Sequence, residues 1–364
     1  MNAASKKIIT IITIALLVVL VSAFVFSYGD RYNSEEEDLG EHTLYVEDST
    51  GKRVGLYGTA DRVATLGYGF TKTVIDLGGK DKIIAYDTYS QDAADEYGIS
   101  GKNIGSAYFS NIDAIITSLV TLAEDGNFNK STDIIILNDY SGTIAGGGTR
   151  DILEANGFKV LCFGAQTYDD VIFVVENIAR AIGKESSGAL AKMIDAKEAA
   201  FETGMEINTE DRVAAMYVNN YSGAIRIYNT GIATSMIELS GGWNIGHNKN
   251  ISGNYYAAEA STILELNPDV VFLDGNYPMT SEEFRTDVLR TDTIKVIKMD
   301  KDWNNYCPSV ADGLMVVSEA MLDEYYDAPE EEITFPMTAI EFGTLFMTTL
   351  LVLLGFLMMR DDFV

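Results

Sequence analysis

The sequence predicts an α/β protein: two doubly wound lobes bridged by a long helix, with a transmembrane helix at each end. Three observations carry this. Short β-rich runs alternate with helical stretches in two separate blocks, the pattern of parallel sheets covered by helices. A stretch rich in Ala, Lys and Glu, all good helix formers, separates the blocks. An uncharged apolar run lies near each end of the 364-residue chain.

The first apolar run, 8–26, follows Lys6 and Lys7 and is interrupted only by Thr10, Thr13 and Ser22. At 1.5 Å per residue it spans about 28 Å, close to a bilayer's hydrocarbon thickness. Segment 1–28 is therefore a signal anchor or a long signal peptide, and its length favours retention over cleavage after Ala23. An acidic linker, 29–43, follows, with Glu35, Glu36, Glu37 and Asp38 as a solvated tether.

The N-terminal lobe is 44–168. Its strands are 62–66 (RVATL), 82–86 (KIIAY), 133–137 (DIIIL) and 159–163 (KVLCF), with a helix at 71–77. The helical connection, 169–208, breaks at Gly183, and its second part, 185–205, is the bridging helix, about 30 Å long. In the C-terminal lobe, 209–327, strands fall at 212–218 (RVAAMYV), 270–273 (VVFL) and 295–299 (KVIKM). Helices fall at 234–240, 261–266 and 310–322. A second acidic linker, 328–341, contains Glu330, Glu331 and Glu332. The uncharged run 342–359 then reads as a C-terminal transmembrane helix, followed by Arg360. Lys6, Lys7 and Arg360 fit the cytoplasmic side, so everything between lies outside the cytoplasm.

Composition excludes several function classes. There are 54 acidic against 26 basic side chains, a net charge of −28. Phosphate binding needs clustered cations, so nucleic acid is excluded as a partner. Two cysteines, Cys162 and Cys307, without a CxxC pair rule out a disulfide scaffold and a cysteine zinc site. A disulfide between them would staple the lobes; two buried free thiols are the better reading. Two histidines, His42 and His247, lie far apart, and neither a metalloprotease nor a nucleophile–histidine pattern occurs. No catalytic residue, resident cofactor or metal site is expected. The glycine run at 145–149 lacks the Lys-Ser/Thr of a phosphate loop.

Four stretches carry a resemblance: 46–54 (VEDSTGKRV); 61–64 (DRVA) with 77–83 (LGGKDKI); 237–244 (IELSGGWN); and 258–271 (AEASTILELNPDVV). In this order, with a long helix between the second and third, they resemble the class III substrate-binding proteins of ABC importers, the cobalamin and iron-siderophore type. The resemblance covers roughly 45–322. It implies two lobes joined by a rigid helix, with ligand held between them. It also implies one acidic permease-docking residue per lobe, here Asp113, an Asp where Glu is usual, and Glu259.

Ligand-facing residues follow from topology as well, because ligands sit beyond the carboxyl ends of strands in open parallel sheets. That rule places Tyr68, Phe70, Tyr89, Asn138 and Tyr140 at the cleft from the first lobe, and Tyr221, Asn276, Tyr277 and Trp303 from the second. Recurrent aromatics suit a large, flat ligand with polar edges. Asp87, Asp139 and Asp274 share these loops and, in so acidic a chain, read as solvated acids. Arg150 and Arg226 read as salt-bridge or strand-face cations rather than ligand contacts.

The function expected is a membrane-anchored extracytoplasmic binding protein, not an enzyme. It captures a metal chelate, a corrinoid or ferric siderophore, and delivers it to an ABC permease with its ATPase subunits. Two alternatives remain at this point: a tetrapyrrole chelatase-like ectoenzyme, and a sensor or adhesion ectodomain.

Overall fold

The computed structural model describes residues 43–106, 112–142 and 148–327. The apolar runs 8–26 and 342–359 and the acidic stretches 35–38 and 330–332 lie outside the described residues. Among the described residues no helix is long and apolar enough to cross a membrane.

The chain opens with an antiparallel hairpin, β1 (Leu44–Glu47) and β2 (Arg53–Leu56). A five-stranded sheet follows: β3 (Val63–Leu66), β4 (Ile83–Tyr86), β5 (Lys102–Asn103), β6 (Ile134–Asn138) and β7 (Lys159–Phe163). Their order is β5-β4-β3-β6-β7, parallel throughout. All four residues of β3 are buried. Both faces of the sheet are covered, which is why its strands read as continuous apolar runs rather than alternating ones. Side chains still alternate between two cores. Val63, Ile134, Ile136 and Leu161 join one. Ala64, Leu66, Ile135, Leu137 and Val160 join the other, with Ile115 and Leu119 from the helix Ile112–Glu124.

Two helices connect the sheets. Tyr168–Ile182 is opened by a capping box between Thr167 and Asp170 and is closed at Gly183. Ser187–Glu206 follows, with Met193, Ala196 and Ala200 buried.

The second sheet contains β8 (Ala214–Tyr221), β9 (Ala224–Tyr228), β10 (Trp243–Asn244), β11 (Tyr255–Ala258), β12 (Val270–Leu273) and β13 (Lys295–Lys298). Its order is β11-β9-β8-β12-β13, with β10 on the start of β8. β8, β12 and β13 are parallel, while β9 runs antiparallel to both its neighbours, β8 and β11, so this lobe holds a mixed sheet rather than the purely parallel one expected. The difference begins where β8 continues three residues beyond 218. Asn219 is accommodated within the strand because its Nδ2 donates to the Tyr228 hydroxyl at 2.9 Å. Ser222 (φ 53°) and Gly223 (φ 84°) then make the two-residue turn into β9, the geometry that matches the right-handed strand twist.

Alternation again divides this sheet. Met216, Val218, Val271 and Leu273 form an outer core. Ala215, Tyr217, Val270 and Phe272 belong to the same cluster as Val63 and Phe70 of the first lobe, continuous through Val171, Met193 and Ala196 of the connecting helices. The lobes are thus fused along one apolar core, which resists hinge opening.

Asp48 fastens the opening hairpin to the first lobe. Only 1% exposed, it accepts from Arg150 Nη2 at 2.8 Å and from the Cys162 amide at 3.0 Å. Arg150 also donates to Thr50 Oγ1 at 2.8 Å and to Glu154 at 3.1 Å, a salt-bridging role of the kind expected for it. Arg226, on β9, stacks its guanidinium 3.9 Å from the Tyr221 ring centroid and 4.2 Å from that of Tyr255. Cys162 and Cys307 are free, buried thiols. Burial pushes both up to about 12, so they stay protonated and inert.

Candidate ligand-binding cleft

The carboxyl ends of β3, β4 and β6 face those of β8 and β13 across a cleft. It encloses a cavity of about 380 Å³. The first lobe supplies Tyr68, Phe70, Asp87, Tyr89 and Asn138; the second supplies Tyr221, Asn305 and Tyr306.

Tyr68 and Phe70 lie on the first turn of the helix Tyr68–Asp76, directly after β3. Gly69 sits between them because the segment after β13 approaches too closely for a side chain. A Cβ there would lie 2.1 Å from Asn305 Oδ1 and 3.0 Å from the Tyr306 amide nitrogen. That approach stacks Tyr306 on Phe70, with centroids 5.1 Å apart and planes 14° apart. Asn138, the last residue of β6, donates through Nδ2 to the Tyr306 hydroxyl at 3.2 Å. Thr73 Oγ1 bonds the Tyr306 carbonyl, and Tyr68 donates its hydroxyl to Asp302. Lys72 pairs with Asp76 at 2.5 Å and lies 3.7 Å from Asp302. These contacts hold the segment after β13 across the end of the first lobe.

Behind the second-lobe wall lies a phenol network. Tyr217 donates to Asp274 and accepts from Asn304 Nδ2 at 2.7 Å, while packing edge-on against Tyr228 at 5.1 Å. Burial raises Tyr217 well above the ordinary phenol value, and Asp274 adds to it. Burial followed by the bond to Asp302 does the same to Tyr68, and burial pushes Tyr228 up to about 12. The three phenols therefore remain neutral hydrogen-bonding groups at physiological pH.

Asp87 departs from the reading as a solvated acid. It is 0% exposed, on the cavity wall just after β4. Its Oδ1 accepts from Ser90 Oγ at 2.7 Å. Ser90 Oγ accepts from Thr71 Oγ1 at 2.8 Å, and Thr71 meets Thr65 Oγ1 at 2.7 Å. Asp87 Oδ2 is buried with no hydrogen-bond partner among the described residues. Burial pushes the carboxyl up to about 6, opposed by hydrogen bonds from Ser90 and from backbone amides.

Five of the nine residues placed at the cleft by topology come together here: Tyr68, Phe70, Tyr89, Asn138 and Tyr221. Four are placed otherwise. Tyr140 is exposed on the helix Asp139–Gly142. Asn276 is exposed on the turn after β12, its backbone N–H donating to Asp274 Oδ1 at 2.8 Å. Tyr277 is 4% exposed and packs edge-on against Phe284 in the outer core. Trp303 is half-buried against Gly313 of the helix Val310–Asp327. Asn305 and Tyr306, which topology did not single out, lie in the same loop after β13, two and three residues beyond Trp303, where the strand-end rule also reaches. Asp113, in the first turn of Ile112–Glu124, and Glu259, the residue preceding Ala260–Leu266, are both exposed. Among the described residues no group of His, Cys, Asp and Glu is arranged to hold a metal ion.

No family model matches the sequence, and no curated protein matches it. Solved structures do. Helicobacter pylori CeuE, solved with Ni(II) bound, aligns with a TM-score of 0.61 at 16% identity, over 79% of this chain and 91% of that one. The periplasmic heme-binding protein RhuT of Roseiflexus sp. RS-1, in apo form, gives 0.56 at 14% identity, over 73% of this chain and 99% of that one. The periplasmic vitamin B12 binding protein BtuF of Vibrio cholerae gives 0.53 at 16% identity, over 74% and 98%. The chain has the fold of the class III periplasmic binding proteins.

Proposed function

We propose that the protein is an extracytoplasmic substrate-binding protein that captures a metal chelate between lobes 44–168 and 209–327 and does no chemistry on it. The observation that carries this reading is the aromatic cleft at the facing strand ends. Tyr68, Phe70, Tyr89, Tyr221 and Tyr306 offer broad apolar area with polar tips, and Asn138 and Asn305 add amides, a combination that suits a flat or bulky chelate with polar edges. Similarity of fold to proteins that bind heme, vitamin B12 and Ni(II) supports the ligand class. A corrinoid or a ferric siderophore is the chelate class we favour. The test is titration of the full chain in detergent with cyanocobalamin, a ferric hydroxamate and haem, following tyrosine and tryptophan fluorescence. Saturable sub-micromolar binding of one of them is expected; no binding to any overturns the reading.

In the same proposal, 1–28 and 342–359 hold the protein at the membrane, and the captured chelate passes to an ABC permease. Tethering raises the effective concentration of the binding protein at its permease. Asp113 and Glu259, exposed one on each lobe, make charge-assisted contacts to permease cations. Reversing both charges to Lys should abolish stimulation of the transporter ATPase while leaving chelate binding intact. Unchanged stimulation removes these residues from docking.

A further inference from the structure

We infer that the cleft selects its ligand by charge: it takes a chelate that presents a cationic or N–H donor group to Asp87, and it disfavours anionic chelates. This rests on the binding-protein reading above and goes further by fixing the sign of the ligand's charge.

Three observations converge. First, Asp87 is a fully buried carboxylate on the cavity wall whose Oδ1 is fixed by the Ser90–Thr71–Thr65 hydroxyl chain, leaving Oδ2 without a partner among the described residues. A buried carboxylate oxygen left unpaired is costly, and a donor arriving with the ligand removes that cost. Second, among the described residues no Lys, Arg or His lines the cavity. Three cations beside it are already engaged. Lys72 is held by Asp76 and Asp302. Lys301 lies over the Tyr68 ring at 5.0 Å, and Arg226 is stacked between Tyr221 and Tyr255. The internal stretches outside the description, 107–111 and 143–147, contain no ionisable cation in their sequence (AYFSN and TIAGG). Among the described residues, the wall thus offers an anionic ligand no side-chain cation in direct contact, while it offers a cationic one the Asp87 carboxylate. Third, five aromatic side chains, Tyr68, Phe70, Tyr89, Tyr221 and Tyr306, line the wall alongside Asn138 and Asn305, and aromatic faces attract cations through their quadrupole.

The experiment uses the full chain in detergent at pH 7.5 and three iron(III) probes. These are ferrioxamine B, which carries a pendant ammonium; its N-acetylated form, which lacks it; and a tris-catecholate complex, which is anionic. Ferrioxamine B should bind at least tenfold more tightly than the acetylated form, and the tris-catecholate should be the weakest. In Asp87→Asn, which keeps an oxygen for Ser90, the preference for the ammonium should vanish. A second measurement needs no variant. Asp87 is pushed up to about 6 by burial, opposed by its hydrogen bond from Ser90, and the other titratable groups on the cavity wall are the phenols Tyr68, Tyr89, Tyr221 and Tyr306. The wild-type preference should therefore shrink between pH 7.5 and pH 5, as the carboxyl takes up a proton. Tight binding of the tris-catecholate, or a preference unchanged in Asp87→Asn, overturns the inference while the binding-protein reading stands. Failure of all three probes and of cyanocobalamin and haem overturns both.

Discussion

Replacing Arg150 with methionine is expected to destabilise the first lobe by about 3–5 kcal/mol, the usual cost of leaving a buried charge without its partner. Asp48 is 1% exposed and Arg150 is 8% exposed, so water cannot take over the lost contact. The same substitution leaves Glu154 with Lys52 alone of the two cations that hold it. Because Asp48 also accepts from the Cys162 amide, the loss spreads from the hairpin to the edge strand β7. Urea denaturation followed by circular dichroism measures it. Converting Asp48 to Asn in the Arg150→Met background should recover part of the loss by removing the stranded charge. A loss below about 1 kcal/mol, the range of an exposed pair, would show that the pair does not fasten the hairpin.

Gly69→Val should weaken chelate binding by more than tenfold with the lobes still folded. The new Cβ meets Asn305 Oδ1 at 2.1 Å and the Tyr306 amide nitrogen at 3.0 Å. The Asn305 side chain can swing aside, but the backbone of Tyr306 cannot move without carrying its ring off Phe70 and its hydroxyl from Asn138. Two aromatic walls of the cleft would separate together. Gly188→Ala is the control, since a Cβ there meets nothing within 4 Å. Equal affinity in both variants would mean that the segment after β13 takes no part in holding ligand.

The parts of this architecture that were legible in the sequence share a physical cause. β3, β6 and β12 are buried on both faces, so they appear as unbroken apolar runs between turn residues. The connecting helices declare themselves through helix-forming composition and Gly183. What stayed hidden depends on tertiary partners. The end of β8 looks like a polar loop until Tyr228 supplies the partner for Asn219. Strand-end position alone does not say which way a side chain turns: Tyr277 follows β12 yet packs into the outer core, whereas Tyr221 reaches the cavity from the end of its own strand. Asp87 was indistinguishable from the many surface acids, because its burial arises only when Thr65, Thr71 and Ser90 meet behind it.

The most direct measurement is backbone hydrogen exchange of the full chain with and without the chelate that saturates the titration. Ligand held between the lobes should slow exchange at 67–70 and 87–89 of the first lobe and at 305–306 of the second, while the helix Ser187–Glu206 is unchanged. Protection confined to one lobe, or centred on the connecting helices, would contradict a site between the lobes.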